Sequence, residues 1–277
     1  MKLLRHARRL AAVLSVGLST LGTALPAHAG RSCEARTPEA QAVVNGLALA
    51  ARTHQALEDS GAQVVVLARA GQDLSRYGLR WSHLGLAYRE AEGGPWRIVH
   101  KLNRCGDDTA DLYRQGLAEF FLDDPFEYRA ALLLPALEVQ EKLLPLLRND
   151  TRAKQLHVTG YSMLAYPWAQ RYQQSNQWAI ETLAMAMLDG RATRGAATVE
   201  QQRARAQAWL QKLGYEPTTL GLSAFTRLGA RISAANIAFD DHPNEKRFSD
   251  RIETVTVDSV FRWMLRSGLG GRLQEVQ

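Results

Sequence analysis

The chain has 277 residues, of which 46% are hydrophobic and 22% are charged, and its formal net charge at pH 7 is +6. Residues 1–29 contain four basic side chains and no acidic one, so removing this segment lowers the net charge to +2. A nucleic-acid-binding domain needs strongly clustered basic side chains. The low charge of the remaining chain therefore argues against nucleic acid as a partner.

Residues 1–29 have the organisation of a signal peptide. A basic start precedes an apolar stretch over residues 10–25, and an Ala-His-Ala cleavage pattern ends at Ala29. The apolar stretch is shorter than the roughly 20 residues that cross a bilayer, and the residues before Cys33 do not form a lipoprotein cleavage box. We expect a periplasmic or secreted protein without a transmembrane anchor, with a single domain over residues 30–277.

Cys33 and Cys105 are the only two cysteines. In an oxidising compartment, such a pair favours a disulfide, which would join the N-terminal segment to the loop after His100. The alternative is that Cys105 is a free nucleophile with His100 as its base. An unpaired reactive thiol would be prone to oxidation in that compartment, which favours the disulfide.

The patterns along the chain predict a mixture of helices and strands, and hence the α+β class. The β-branched run QVVVLARA predicts a buried strand over residues 63–70. Residues 82–100 predict two antiparallel strands joined by a Gly-Gly-Pro turn, which would complete a small antiparallel sheet. Apolar periodicity and end signals predict further helices over 38–57, 110–122, 135–147, 176–188, 198–213 and 258–266, and strands over 128–134 and 252–257.

Two histidines mark the ends of the predicted strand pair. His83 opens the first strand and His100 ends the second, so antiparallel pairing places them side by side. Such a pair suits general-base chemistry, because imidazole titrates near neutral pH and one ring can orient the other. The alternative is two structural residues at strand ends. Gly85 favours a functional site, because a missing side chain allows close approach by a ligand or a second backbone.

The histidine pattern resembles the motifs of NlpC-type papain-like hydrolases. It consists of His83 and Gly85 in an H-x-G motif, then a turn and a strand that ends at His100. In those enzymes a cysteine at a helix N-terminus is the nucleophile, the first histidine is its base, and a second polar residue orients the base. A circularly permuted branch, which includes lecithin:retinol-acyltransferase-like proteins, has the nucleophile after the histidines. The segment 172–178 resembles that arrangement, with Ser175 in the cysteine position.

This resemblance implies a permuted papain-like core, with a small antiparallel sheet packed against helices. Its catalytic residues would be Ser175, His83 and His100. Backbone N–H groups at the start of the helix would meet an oxyanion, with Tyr172 or Gln177 as candidate supports. Gln177 could equally be a solvated residue of the first helical turn. The reaction would be hydrolysis or transfer of an acyl group at an amide or ester, on a small peptide, peptidoglycan or lipid-linked substrate and without a cofactor.

Serine departs from the family pattern. A helix N-terminus helps to form a thiolate, whereas a serine hydroxyl depends almost wholly on a neighbouring base. Serine is also a preferred helix N-cap residue, which gives Ser175 a purely structural interpretation. Two functions therefore stay open: a hydrolase or acyltransferase, and a binding or assembly module that has lost turnover.

A wider set of segments resembles an uncharacterised family of exported bacterial proteins, the domain of unknown function DUF 2145. The resemblance covers most of the mature chain and implies no activity. The segments are SHLGLAYRE, HKLNRCG, LYRQGLAEFFLDDPFEY, YSMLAYPWAQRYQ and FDDHP.

Asp240, Asp241 and His242 have side chains that can bind metals. Three adjacent residues cannot all point inward, and no second cluster completes a site. A polar turn is therefore favoured over a metal site.

Two further polar regions have both a functional and a structural interpretation. Asp123, Asp124 and Glu127 could be the acid and base of a glycosidase, or the end of a helix and a turn. His157 and the aromatic stretch 161–172 could form a wall that contacts substrate, or could pack as a core or lid.

Overall fold

The structure, a computed structural model, describes residues 37–123, 125–188, 198–233 and 235–277. The predicted signal peptide, Cys33 and Asp124 lie outside the described residues, so the signal peptide and the disulfide stay predictions. In the described part of the chain, no helix is long and apolar enough to cross a membrane. The helices are α1 (Ala40–Asp59), α2 (Leu117–Phe121), α3 (Leu137–Leu147), α4 (Asp150–Ala153), α5 (Ser175–Met187), α6 (Val199–Lys212), α7 (Ala224–Ser233), α8 (Asn244–Arg247) and α9 (Val257–Arg266).

The strands confirm the α+β class and form a larger sheet than the sequence predicts. They are β1 (Val64–Ala70), β2 (His83–Arg89), β3 (Trp96–Asn103), β4 (Ala110–Gln115), β5 (Glu127–Pro135), β6 (Thr218–Gly221), β7 (Arg251–Thr254) and β8 (Gly270–Val276). Six of them form one antiparallel sheet in the order β4-β3-β2-β1-β5-β8, and β6 pairs with β7.

Alternate side chains of the large sheet pack against different helices. The face covered by α3, α5 and α9, here called the α5 face, includes Leu84, Leu86 and Val99. The face covered by α1 and α2, here called the α2 face, includes Ala87 and Ile98. Because successive strand residues point to opposite faces, the parity of a residue in β2 or β3 decides which helices it meets.

The predicted helix over residues 110–122 is wrong in its first half. Residues Ala110–Gln115 form the edge strand β4, which pairs with β3 from Asn103↔Ala110 to Ile98↔Gln115. Gly116 has an extended conformation and separates this strand from the short helix α2. The backbone hydrogen bonds to β3 override the helical preference of the local sequence, as tertiary context commonly does.

Candidate functional site

The structure confirms that His83 and His100 are neighbours. Nε2 of His83 lies 2.8 Å from Nδ1 of His100, and Nε2 of His100 lies 2.8 Å from Oε1 of Gln115. The three side chains come from the adjacent strands β2, β3 and β4. They are called the histidine row below.

The hydrogen-bond partners determine which nitrogen of each imidazole ring carries the proton. The amide oxygen of Gln115 only accepts, so Nε2 of His100 carries a proton and donates. In a neutral His100 ring, Nδ1 is then an acceptor, and Nε2 of His83 donates to it. A neutral His83 consequently presents an unprotonated Nδ1, for which the described residues supply no hydrogen-bond partner.

The surroundings keep both rings neutral at pH 7. Burial lowers the pKa of His83 well below its usual value, and the positive charge of Arg69 makes a smaller contribution in the same direction. The same two causes lower the pKa of His100 to about 4, although the bond to Gln115 acts in the opposite direction. Arg69 lies directly opposite His83 in the pairing of β1 with β2. A neutral imidazole can accept a hydrogen bond at neutral pH, which an imidazolium cannot.

Phe120 of α2 covers the row. Its ring centroid lies 5.9 Å from that of His83 and 5.2 Å from that of His100. The guanidinium of Arg69 lies over the same ring, 4.8 Å from its centroid, donates to the Phe120 carbonyl and forms an ion pair with Asp123. Since Phe120 belongs to the core of the α2 face, both histidines point to that face.

Gly85 has a packing role in this arrangement. A Cβ at this position would lie 2.4 Å from Cγ2 of Ile98 and 3.2 Å from Cβ of His100. The missing side chain therefore makes room for residues of β3. Packing alone therefore explains why this residue is a glycine, without the predicted access of a ligand.

Ser175 lies on the other side of the sheet. It is the first residue of α5, which packs on the α5 face, and its residue is only 6% exposed. Its hydroxyl is hydrogen-bonded to that of Tyr161. Burial raises the pKa of Tyr161, so this phenol stays protonated and is no general base at neutral pH. The structure does not bring Ser175 to the ring nitrogens of His83 and His100.

The N-cap interpretation of Ser175 is also wrong, because Gln174 is the N-cap residue of α5. The amide of Gln174 donates to the carbonyl of Val255. Asn176 also donates to that carbonyl, and its Oδ1 accepts the backbone N–H of Leu84 at 3.1 Å. These amides hold the start of α5 against β2 and the segment after β7.

The two predicted oxyanion supports have other partners. The amide nitrogen of Gln177 donates to the carbonyl of Pro167 at 3.2 Å. The hydroxyl of Tyr172 is hydrogen-bonded to Asp240, which also forms a 2.8 Å ion pair with Arg171. Both side chains therefore hold the aromatic loop in place.

The polar turn at Asp240, Asp241 and His242 has partners for its side chains within the protein. The two carboxylate oxygens of Asp241 lie 2.8 Å from the backbone N of Tyr166 and 3.0 Å from Nδ1 of His242. Nε2 of His242 lies 3.0 Å from the carbonyl of Glu253. Among the residues with described coordinates, no group of three or more His, Cys, Asp or Glu side chains could hold a metal ion. The turn joins the aromatic loop to β7.

The remaining sequence candidates have partners elsewhere or lie in an exposed turn. Asp123 is the ion-pair partner of Arg69, while Glu127 begins β5 and lies 3.8 Å from Arg129. Cys105 lies in the exposed turn after β3. Because both ring nitrogens of His100 have other partners, a base role for His100 towards Cys105 has no support.

A buried polar network on the α5 face was missed by the sequence analysis. Glu181 and Arg203 form an ion pair at 2.8 Å, with side chains 1% and 0% exposed. Gln173 donates to Glu181 and accepts from Lys101 at 2.9 Å. Burial and then Arg203 lower the pKa of Lys101 to about 7. The run of amides QQSNQ at a helix start was the one available signal.

His157 lies beside this network. Burial and then Lys101 lower the pKa of His157 to about 4, and its Nδ1 is buried without a partner among the described residues. It is therefore a neutral neighbour of Lys101. No contact joins it to the histidine row, and its predicted contact with substrate stays a prediction.

A family model described as "Uncharacterized protein conserved in bacteria (DUF2145)" matches residues 56–264. The matched range extends from the end of α1 into α9, so it includes the histidine row and the start of α5. No curated protein and no solved structure matches the chain.

Proposed function

We propose that this chain, which belongs to the uncharacterized bacterial family DUF2145, is an exported binding or assembly module that does not hydrolyse its ligand. The observation that carries the proposal is the separation of the supposed nucleophile from its base. The hydroxyl of Ser175 bonds to Tyr161 on the α5 face, whereas the ring of His83 bonds to His100 on the α2 face. A serine without a neighbouring base is a weak nucleophile.

The histidine row is the proposed ligand contact. Nδ1 of His83 is an unprotonated acceptor, and His83 is partly exposed. It suits a ligand that offers a hydroxyl or amide N–H, which peptides and peptidoglycan fragments both carry. The location is part of the proposal and rests on the signal-peptide pattern of residues 1–29.

A papain-like ancestry is also part of the proposal. It is supported by the chain order of His83, His100 and Ser175, and by a helix that begins at Ser175 and packs on an antiparallel sheet. In this view the fold has kept the polar groups of the family while the nucleophile and the base have come to lie on different faces.

The first test is labelling of the mature protein with a fluorophosphonate probe, beside Ser175→Ala and His83→Ala variants and a known serine hydrolase in the same tube. We expect the added hydrolase to be labelled and the folded wild type to stay unlabelled.

The second test is a titration with peptidoglycan fragments, in which the ¹⁵N resonances of His83 report binding. A shift that His100→Gln alters would support the row as the contact, and no shift at millimolar fragment would contradict it.

A hydrolase or acyltransferase is the second candidate, and one observation favours it. The backbone N–H of Leu84 bonds to Asn176, so the residues next to His83 and Ser175 touch each other. Wild-type labelling that both Ser175→Ala and His83→Ala abolish, in variants that stay folded, would establish this candidate and overturn the module.

A further inference from the structure

Arg69 belongs to the same site as the histidine row. It lies in β1 directly opposite His83 of β2, and residues that oppose each other on antiparallel strands point to the same face of the sheet. The ring of Phe120 packs against both imidazoles and against the guanidinium of Arg69. A positive charge therefore lies next to the open hydrogen-bond acceptor of His83.

The charge of Arg69 is buried, but the side chain that neutralises it is not. The Arg69 side chain is 6% exposed, whereas that of its ion-pair partner Asp123 is 49% exposed. A buried charge needs a counterion, and an ion pair with a well-solvated partner contributes little net free energy. Another carboxylate that reaches Arg69 can therefore exchange with Asp123 at a small cost.

The guanidinium is held in a position that suits such an exchange. Nη1 donates to the carbonyl of Phe120, and Nη2 donates to Oδ2 of Asp123. Hydrogen bonds between arginine and a carboxylate are charge-assisted and among the strong ones in proteins. Asp123 lies in the bend after α2. Rotation of its side chain into solvent needs no change in β1 or α2, and it frees the space that a ligand carboxylate requires.

The neighbouring imidazole sets a second requirement. Neutral His83 accepts a hydrogen bond at Nδ1, and the positive charge of Arg69 disfavours a cationic donor at that place. A neutral N–H next to an anion satisfies both residues. The C-terminal end of a peptide has this combination, since its last amide N–H and its carboxylate are attached to the same carbon atom.

We propose that the histidine row binds ligands in which a carboxylate lies next to an amide N–H, as at the C-terminal end of a peptide. The carboxylate takes the place of Asp123 on Arg69, and the N–H donates to Nδ1 of His83. Asp123 is then an internal substitute for the carboxylate of the ligand. This inference rests on the proposed function and specifies its ligand.

Titration of the mature protein with N-acetylglycine tests the inference, because this probe carries both groups and no other charge. N-acetylglycinamide is the neutral probe, which keeps the N–H and lacks the carboxylate. Calorimetry gives the affinities, and the ¹⁵N resonances of His83 report the contact. We expect N-acetylglycine to bind about tenfold or more tightly than the amide and to move the His83 resonances.

Asp123→Asn removes the internal competitor. It should bind N-acetylglycine about tenfold more tightly than the wild type, with no gain for N-acetylglycinamide. A gain of affinity does not arise from misfolding, and thermal unfolding of each variant reports whether it is folded. Glu138→Gln is the matched control, since it removes the acid of an exposed ion pair on α3 and should leave both affinities unchanged.

Equal affinities for the two probes, or no gain in Asp123→Asn, would overturn the inference. If equal binding of both probes still moves the His83 resonances, the row stands as a ligand contact and only the carboxylate requirement is wrong. Carboxylate-dependent binding that leaves these resonances unchanged would overturn the row as the contact. Absence of binding by either probe at about 10 mM would overturn the inference, and the titration with peptidoglycan fragments then decides the proposed function separately.

Discussion

The two faces of the large sheet hold their polar groups in different ways. On the α5 face, Glu181 and Arg203 have partners at both charged ends and are almost fully enclosed. On the α2 face, His83 and His100 are neutral, and one nitrogen of His83 has no partner among the described residues. The complete pairing of Glu181 and Arg203 fits a structural role, whereas the open acceptor of His83 leaves a place for a donor from a ligand.

The largest expected effect concerns the enclosed ion pair. Glu181→Gln leaves the charge of Arg203 buried without its counterion, and we expect a loss of ~3–5 kcal/mol in the free energy of unfolding. Urea denaturation at pH 7 measures it. The matched control is Glu138→Gln, whose exposed pair with Lys142 should contribute less than ~1 kcal/mol. A loss below ~1 kcal/mol in Glu181→Gln would contradict a stabilising role of this buried ion pair.

The second prediction concerns acid and the histidine row. The pKa of His100 is about 4 in the folded protein and ~6.5 in an unfolded chain. Between these values the unfolded state binds a proton that the folded state does not, so stability falls as the pH falls from about 6.5 to 4. The stability that His100 contributes above pH 6.5 should thus be lost by pH 4, about 3 kcal/mol in all.

The variant His100→Gln isolates this effect from the acidic side chains, which titrate in both proteins. Urea denaturation at pH 7, 5.5 and 4 should give a shallower loss of stability in the variant than in the wild type. Parallel pH profiles in the two proteins would contradict a neutral buried ring.

The third prediction tests the close packing beneath the row. Gly85→Ala forces a methyl group against Ile98, and overpacking of this kind costs ~1–3 kcal/mol. It should also move the ¹⁵N resonances of His100. Gly221→Ala is the control, because a Cβ there meets no atom within 4 Å. Equal stability of the two variants would contradict the close contact.

The smallest expected effect is that of Ser175→Ala, which removes one hydrogen bond, to Tyr161, and should cost ~0.5–1.5 kcal/mol. Because Ser175 and the histidine row lie on opposite faces, the imidazole ¹⁵N resonances should not change. A shift of the His83 resonances in this variant would show that the two sites communicate.

The sequence was sufficient to predict the histidine pair, because a strand, a Gly-Gly-Pro turn and a second strand bring the two ends together. It did not predict the face to which the rings point. His83, Gly85 and Ala87 point to the same face of the sheet, since they alternate along β2. Only tertiary packing decides that α5 covers the other face. The chain order of a papain-like enzyme was therefore an insufficient guide to the geometry.

Two other features could not be predicted from the sequence, for physical reasons. β8, with sequence GGRLQEV, is an edge strand with little apolar pattern, and its pairing with β5 is not local in sequence. The network around Arg203 lies on a helix whose charged residues suggest an exposed face. Its burial depends on Glu181, 22 residues away along the chain, and no local pattern reports such a partner.

The amide contacts at the start of α5 have a kinetic consequence. The bonds from Asn176 to Leu84 and to Val255 join residues 92 and 79 positions apart in the chain. Closing such long loops costs entropy before the contacts form, and folding slows as contacts become less local. The start of α5 should thus dock late, and Asn176→Ala should accelerate unfolding far more than it slows folding.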